Sequence, residues 1–281
     1  DVTINNGLLV NSGTIMDFTS SFRLIGSLPT YTVSGTLRTG VPTATSALPI
    51  PSGATWAGSG TIAYTATTGA QTIVSGTFNN LTLSNTSGTN TVGGTLTVNG
   101  IFALGKATLG SFNLNMGTAA SFTGAGSSNY LIATGTGRIL RSIAANGTLN
   151  FPVGDVSNYT PLSLNVSGTA YTSAVADVAL IAAKHPNNVN TDNYLNRYWS
   201  VSLSGITDPS YNANATFVPA DVTGLSANVS SAVYTGSLPW LRLAPVSGNT
   251  ITANGITATN AAVTGISSFN PTVNVTPSSI T

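Results

Sequence analysis

The sequence contains no cysteine and no glutamate. Without thiols there are no disulfides and no thiolate metal sites, although cysteine content alone leaves the compartment open. Charge is scarce: 5% of the 281 residues are Asp, Glu, Lys or Arg, against roughly 25% in an ordinary globular chain. The net charge is +1. With neither a basic stripe nor a polybasic segment, nucleic-acid binding and membrane-surface binding lack an electrostatic footing. Long apolar runs are missing too. The longest, AVADVALIAA at 174–183, contains Asp177 and reaches about half of a bilayer span, so no membrane insertion is expected. No signal peptide is visible, and the first residue is Asp1 rather than Met, which reads as a processed or trimmed start.

What is present is apolar and uncharged. Hydrophobic residues make up 41% of the chain, enough for a sizeable core. Thr, Ser, Gly and Asn supply the polarity, favouring strands and turns, while the helix formers Glu, Lys and Arg are absent or rare. The expected class is all-β. The dipeptide Gly-Thr recurs at 13, 35, 60, 76, 94, 117 and 135, with gaps of 22, 25, 16, 18, 23 and 18 residues. Short alternating segments follow, such as GTIAYTA, GTFNNLTLS and GTLTVNGIFAL. In SFNLNMG, alternation turns Phe112, Leu114 and Met116 inward and Asn113 and Asn115 outward. A loose period near 20 residues fits a parallel β-solenoid. An antiparallel sandwich also spaces its strands by turns, and the irregular gaps keep that alternative open.

From about residue 147 the texture changes. Prolines punctuate longer strand candidates, TPLSLNV, YTSAVADVAL, NRYWSVSLSG, NATFVPA, PWLRLAPV and AAVTGISSF, and Trp199 and Trp240 fall among them. Such runs predict an antiparallel β-sandwich with an aromatic core. KHPNNVNTDNYLN at 184–196 reads as the longest strand-free connection. The expected organisation is a solenoid-like repeat domain over 1–146, a sandwich over 147–272, and a linker or exchanged strand over 273–281.

Three stretches carry a resemblance: FPVGDVSNYTPLSLNVSG, LNRYWSVSLSG and ITATNAAVTGISSFNP, in that order. Together they resemble landmarks of large secreted surface proteins of the Bacteroidota, associated with type IX secretion. In those, a Gly/Thr/Asn-rich repeat region precedes a sandwich that opens on FPVG and closes on an I..F.P strand. The resemblance is strongest over about 150–272, while 1–145 matches in texture only. It implies export to the cell surface and an adhesin-like or structural role. This chain departs from the family in lacking a recognisable C-terminal sorting domain.

Candidate chemistry is thin. Asp155 follows Gly154 and precedes a polar turn, the setting of a turn former rather than a catalyst. His185 is the only histidine and sits in a polar loop, where a solvated residue is expected; no Gly-x-Ser-x-Gly elbow accompanies it. Solenoid lyases and hydrolases need paired carboxylates or acids on a metal, yet residues 1–145 offer Asp1 and Asp17 alone. Asp192 beside Asn residues is a weak calcium candidate. Tyr198 and Trp199 adjoin in a strand, so one faces the core and the other is free to stack on a sugar. Eight Asn-x-Ser/Thr sequons, at Asn80, Asn85, Asn146, Asn158, Asn165, Asn214, Asn228 and Asn274, are mostly compositional in so Asn- and Thr-rich a chain.

No enzyme activity and no cofactor are expected. The sequence points to a non-enzymatic extracellular structural protein that polymerises with itself head to tail. Val2 and Ile4 at the start, and Val273 and Val275 at the end, are the candidate assembly residues for strand addition. The alternative is a monomeric adhesin module that binds surface glycans or a host protein.

Overall fold

A strand of three or four residues with one apolar side is unstable alone, so such segments must stack to bury that side. The computed structural model of this chain describes residues 1–26, 29–43 and 48–268. The chain is all-β, and its first half winds about seven turns of a β-solenoid. One face stacks Leu9–Val10, Thr30–Val33, the start of Ala54–Tyr64, the start of Gly76–Leu83, Leu96–Val98, Leu114–Met116 and Ile139–Ile143, all in parallel. A second face stacks Ile15–Asp17, Thr36–Thr39, the ends of the same two long strands, Ile101–Ala103 and Ser121–Thr123. The third runs from Thr72–Ile73 through Asn90–Val92, Ala107–Thr108 and Leu131–Ile132 to Val153–Gly154.

Register then dictates the core. Tyr31, Trp56, Phe78, Val98 and Met116 form one inward column, each aligned with the next after 25, 22, 20 and 18 residues. The Tyr31 and Trp56 rings stack with centroids 4.8 Å apart. Leu37, Ile62, Leu81 and Phe102 form another column, fully buried. Outward, Thr30, Thr55, Thr77, Thr97 and Asn115 line up on the first face. The uneven Gly-Thr spacing has a simple cause. Gly13, Gly35, Gly60 and Gly117 stand at the corner before the second face, whereas Gly76, Gly94 and Gly135 stand at the start of the first. The Gly-Thr series thus combines two different corners of the coil.

Glycine is required where coils touch at a corner. Ala54–Tyr64 turns a corner within one strand, shifting register between Trp56 and Thr61, and Gly58 sits there at φ 92°, a conformation that strains any side chain. A Cβ on Gly60 would lie 2.2 Å from the Gly35 carbonyl oxygen, and one on Gly35 would lie 2.3 Å from those of Asn11 and Thr14. Phe112 departs from expectation. It lies before strand Leu114–Met116 and is 37% exposed, because a turn closed by the Phe112 N–H on the Leu109 carbonyl (3.1 Å) breaks the alternation.

The second half is the antiparallel sandwich. One sheet runs Ile139–Ile143, Ala170–Ile181, Tyr198–Thr207, Asn260–Ser267, Val229–Tyr234 and Leu241–Pro245. The other runs Gly147–Phe151, Leu162–Ser167, Ser210–Thr216 and Thr250–Ile256. Alternate residues such as Leu162, Leu164, Val166, Trp199, Val201, Tyr211 and Ile251 fill the space between. The loop expected to be free of strands carries one short strand, Tyr194–Leu195, paired with Val222–Thr223. NATFVPA begins inside Ser210–Thr216, and its later half leaves the sheet for the 3-10 turn Pro219–Asp221. No helix among the described residues is long and apolar enough to cross a membrane.

The two halves share a strand. Ile139–Ile143 pairs in parallel with Leu114–Met116 and antiparallel with Ala170–Ile181, so a single 16-stranded sheet spans both. Arg141 covers the last coil from above: it donates to the Ala120 and Asn150 carbonyls at 2.9 Å each and lies over the Phe122 ring. The C-terminal end of the solenoid is therefore continued into the sandwich on its first face, while Ser121–Thr123 and Val153–Gly154, which end the other two faces, each pair with one strand among the described residues.

The corner contacts carry a stability prediction. Gly60→Ala is expected to cost roughly 1–3 kcal/mol, because its Cβ would overlap fixed backbone. Gly147→Ala meets no atom within 4 Å and should change stability by no more than about 0.5 kcal/mol. Urea midpoints of the two variants decide, and equal midpoints would remove the corner argument.

Candidate functional site

The FPVGDVSNYTP stretch ends in a buried polar cluster. Oδ1 of Asp155 accepts the backbone N–H groups of Ser157 and Asn158 at 2.7 Å each, so the side chain shapes its own turn. Its other oxygen meets the Arg197 guanidinium. Arg197, 1% exposed, also donates Nε to Asp221 Oδ2 (2.8 Å), Nη2 to Asp221 Oδ1 (2.9 Å) and Nη1 to Thr160 Oγ1 (3.2 Å). Trp199 donates its indole N–H to the Thr160 carbonyl at 3.0 Å, and Thr264 donates its hydroxyl to the Arg197 carbonyl at 2.6 Å. The three stretches that carry the family resemblance thus converge on one ion cluster. Solenoid side chains reach it as well, since Tyr130 donates to the Asp155 carbonyl at 2.9 Å and Lys106 to that of Val156 at 2.6 Å.

Every charge in this cluster has partners, which is what burial demands. Burial pushes the Asp155 carboxyl up, but hydrogen bonds from Arg197, Ser157 and Asn158 outweigh it and hold the group below its ordinary value of 3.8. Burial alone would lower the Arg197 pKa; Asp221 and Asp155 reverse that and raise it. Asp155 is therefore a turn former and an ion-pair partner. Neither Arg197 nor Asp221 was singled out by the sequence, although one signal existed for the first. Positions 197, 199, 201 and 203 share a strand parity, and a cation on the inward parity implies a buried partner. Asp221 ends the 3-10 turn Pro219–Asp221, where there is no periodicity to read.

The acids of the solenoid do not come together. Asp1 pairs with Arg23 through Nε at 2.8 Å, and Asp17 lies 3.9 Å from Arg38, each partner being one coil further on. No group of three or more His, Cys, Asp or Glu side chains that could hold a metal occurs among the described residues, around Asp192 or elsewhere.

Val2 and Ile4 belong to the first coil rather than to a free tail. Their N–H groups donate to the carbonyls of Arg23 (2.8 Å) and Ile25 (2.9 Å). Val273 and Val275 lie outside the described residues, as does the end of the closing motif. The opposite side of the first coil is an open edge: among the described residues, Val2–Thr3, Leu9–Val10 and Ile15–Asp17 each pair with one strand only. The Leu8 and Val10 carbonyls accept from the second coil, so the intervening Leu9 turns its backbone to the open side. The coil also exposes large apolar side chains, Leu9 at 62%, Ile15 at 56% and Phe22 at 53%.

Of the adjoining aromatics, Trp199 is wholly buried, which removes it as a ligand-facing residue, while Tyr198 is half-exposed. Tyr198 lines a shallow cleft of about 520 Å³ on the outer face of the first sandwich sheet. His185 lines it too, and it is not a solvated loop residue: it is 8% exposed, with ring centroids 4.7 Å from Tyr198, 4.9 Å from Tyr234 and 5.0 Å from Trp240. Burial lowers its pKa from 6.5. The sequence could not show this, because the rings come from three separate segments.

No family model matches the chain, and no curated protein or solved structure is significantly similar to it.

Removing Asp221 leaves a buried guanidinium short of a carboxylate, so Asp221→Ala is expected to cost about 3–5 kcal/mol, measured by urea denaturation. The pH dependence has a definite sign. His185 and Asp155 both bind protons more weakly when folded, so the unfolded chain takes up protons first as pH falls. The His185 contribution is full above 6.5 and is lost as pH falls through its folded value; the Asp155 contribution behaves likewise below 3.8. A His185→Phe variant should lose less stability than wild type between pH 8 and pH 5, and identical losses would contradict this.

Proposed function

We propose that this chain is a non-enzymatic extracellular structural protein, a subunit of a self-assembling filament or surface appendage joined head to tail. The observation that carries the reading is the open edge of the first coil, where among the described residues Val2–Thr3, Leu9–Val10 and Ile15–Asp17 each pair with one strand only; the same coil exposes Leu9, Ile15 and Phe22 on its outer faces. Such an edge is a template for an added strand. The first face at the far end is continued by the sandwich, so an edge of the first coil that accepts a different segment of a neighbour makes a heterologous contact, and a heterologous contact that does not close on itself propagates. Scarce charge keeps repulsion between neighbours weak. The segment that a neighbour contributes in this reading is the sequence TVNVT at 272–276, whose apolar residues alternate at Val273 and Val275. The resemblance of 150–272 to secreted Bacteroidota proteins supports the extracellular location.

Deleting residues 1–10 would strip the first coil and expose the second, so point substitutions are the cleaner test. Leu9→Asp with Ile15→Asp, and separately deletion of 271–281, should each leave particles of about 28 kDa, the mass of one chain. Sedimentation velocity and electron microscopy read the result. Assembly that persists in both variants would eliminate strand addition at this edge.

The aromatic cleft favours a second reading, in which the sandwich is an adhesin module and the solenoid holds it away from the surface. In that case the wild-type chain is monomeric and the open coil meets further β-structure of a longer chain.

A further inference from the structure

The cleft is built by strand parity. Along Tyr198–Thr207, Trp199, Val201 and Leu203 point into the sandwich while Tyr198, Ser200 and Ser202 point out. Across the sheet, Asp177 and Asn260 flank Ser202, and Ala262 separates Ser200 from Tyr234. The floor is therefore small and polar, with rings standing at one end and the Arg138–Asp177 ion pair at the other. His185 Nδ1 accepts the Asn187 N–H at 3.2 Å, which places the proton of the neutral ring on Nε2. Trp240 is held behind by its indole N–H on the Asn187 carbonyl at 3.2 Å. Among the described residues, the hydroxyls of Tyr198, Tyr234, Ser200 and Ser202 and the amide of Asn260 have no protein hydrogen-bond partner.

We propose that this cleft binds a neutral glycan, with a hexopyranose ring against Tyr198 and Tyr234 and its hydroxyls over Ser200, Ser202 and Asn260. The inference rests on the adhesin reading above and names its ligand class. A pyranose has an apolar C–H face and a rim of hydroxyls, so it needs an aromatic surface beside donors and acceptors of both senses. The cleft offers both, and its volume falls in the range of about 300–1,000 Å³ typical of small-ligand sites. A purely apolar ligand would strand the floor hydroxyls without partners. An acidic sugar would find no unneutralised cation in the lining, because the guanidinium of Arg138 already faces Asp177.

The test is affinity electrophoresis of the full chain in gels containing hydroxyethylcellulose, galactomannan, dextran or laminarin, with alginate as the acidic control. At least one neutral polymer should retard the wild type and alginate should not. Tyr198→Ala and Tyr234→Ala should each weaken binding about tenfold or more. Ser202→Leu, which fills the cleft and leaves its aromatic wall intact, should abolish retardation even where the tyrosine variants fold poorly. Fluorescence gives an independent signal: Trp56 and Trp199 are buried and Trp240 is half-exposed, so a bound glycan should shift emission and Trp240→Phe should remove the shift. No retardation by any neutral polymer, retardation by alginate alone, or unchanged binding by Ser202→Leu would overturn the proposal. Adhesion to intact cells that Ser202→Leu abolishes, with no neutral polymer bound, would overturn the glycan and leave the adhesin reading standing.

Discussion

Strand Ile139–Ile143 hydrogen-bonds to a parallel neighbour on one side and an antiparallel neighbour on the other, and the whole molecule is organised around that change of sense. A rung with nothing beyond it presents unpaired backbone groups unless something else takes them up. On the first face the long strand Ala170–Ile181 does so, and that sheet continues into the sandwich. Gly147–Phe151 starts the second sheet, and the chain then returns to add Val153–Gly154 as a final parallel rung. The two architectures are thus interleaved over a few residues.

The ion cluster sits where that interleaving happens. Asp155 follows the final rung, Arg197 immediately precedes the strand Tyr198–Thr207, and Tyr130 and Lys106 reach in from the coils. In a chain with so few ionisable groups, placing one guanidinium between two carboxylates at the joint is a matter of geometry. A hydrophobic substitute would fill the volume, but it would not fix the angle at which the turn leaves the solenoid. Directional hydrogen bonds from Asp155 to two backbone N–H groups do fix it.

The sequence made the architecture readable because each part of it obeys a local rule. Alternation at Leu114 and Met116, or at Leu162 and Leu164, is a one-dimensional pattern, and so is the recurrence of Gly-Thr. What escaped was set by partners distant in the chain. Trp199 and Tyr198 could be assigned to opposite faces, but which one met solvent depended on the second sheet. His185 looked solvated because nothing near it in sequence is aromatic except Tyr194 and Tyr198, whereas Tyr234 and Trp240 arrive from another hairpin. Asp221 had no neighbours to betray it. The uneven repeat gaps also misled, since a dipeptide that serves two corners does not keep one period.

Stacking coils in register has a mechanical consequence. Force applied between the first coil and the sandwich loads the rungs from the first coil onward, which among the described residues is bonded to strands on one side only. Each coil peels as a unit and frees the 18 to 25 residues between aligned positions, or roughly 60–85 Å of extended chain. The shared strand and the buried guanidinium lie at the far end of that series, so the sandwich is the last part to feel a displacement. Under tension the solenoid is a graded tether, yielding one turn at a time while the part that carries the cleft stays folded.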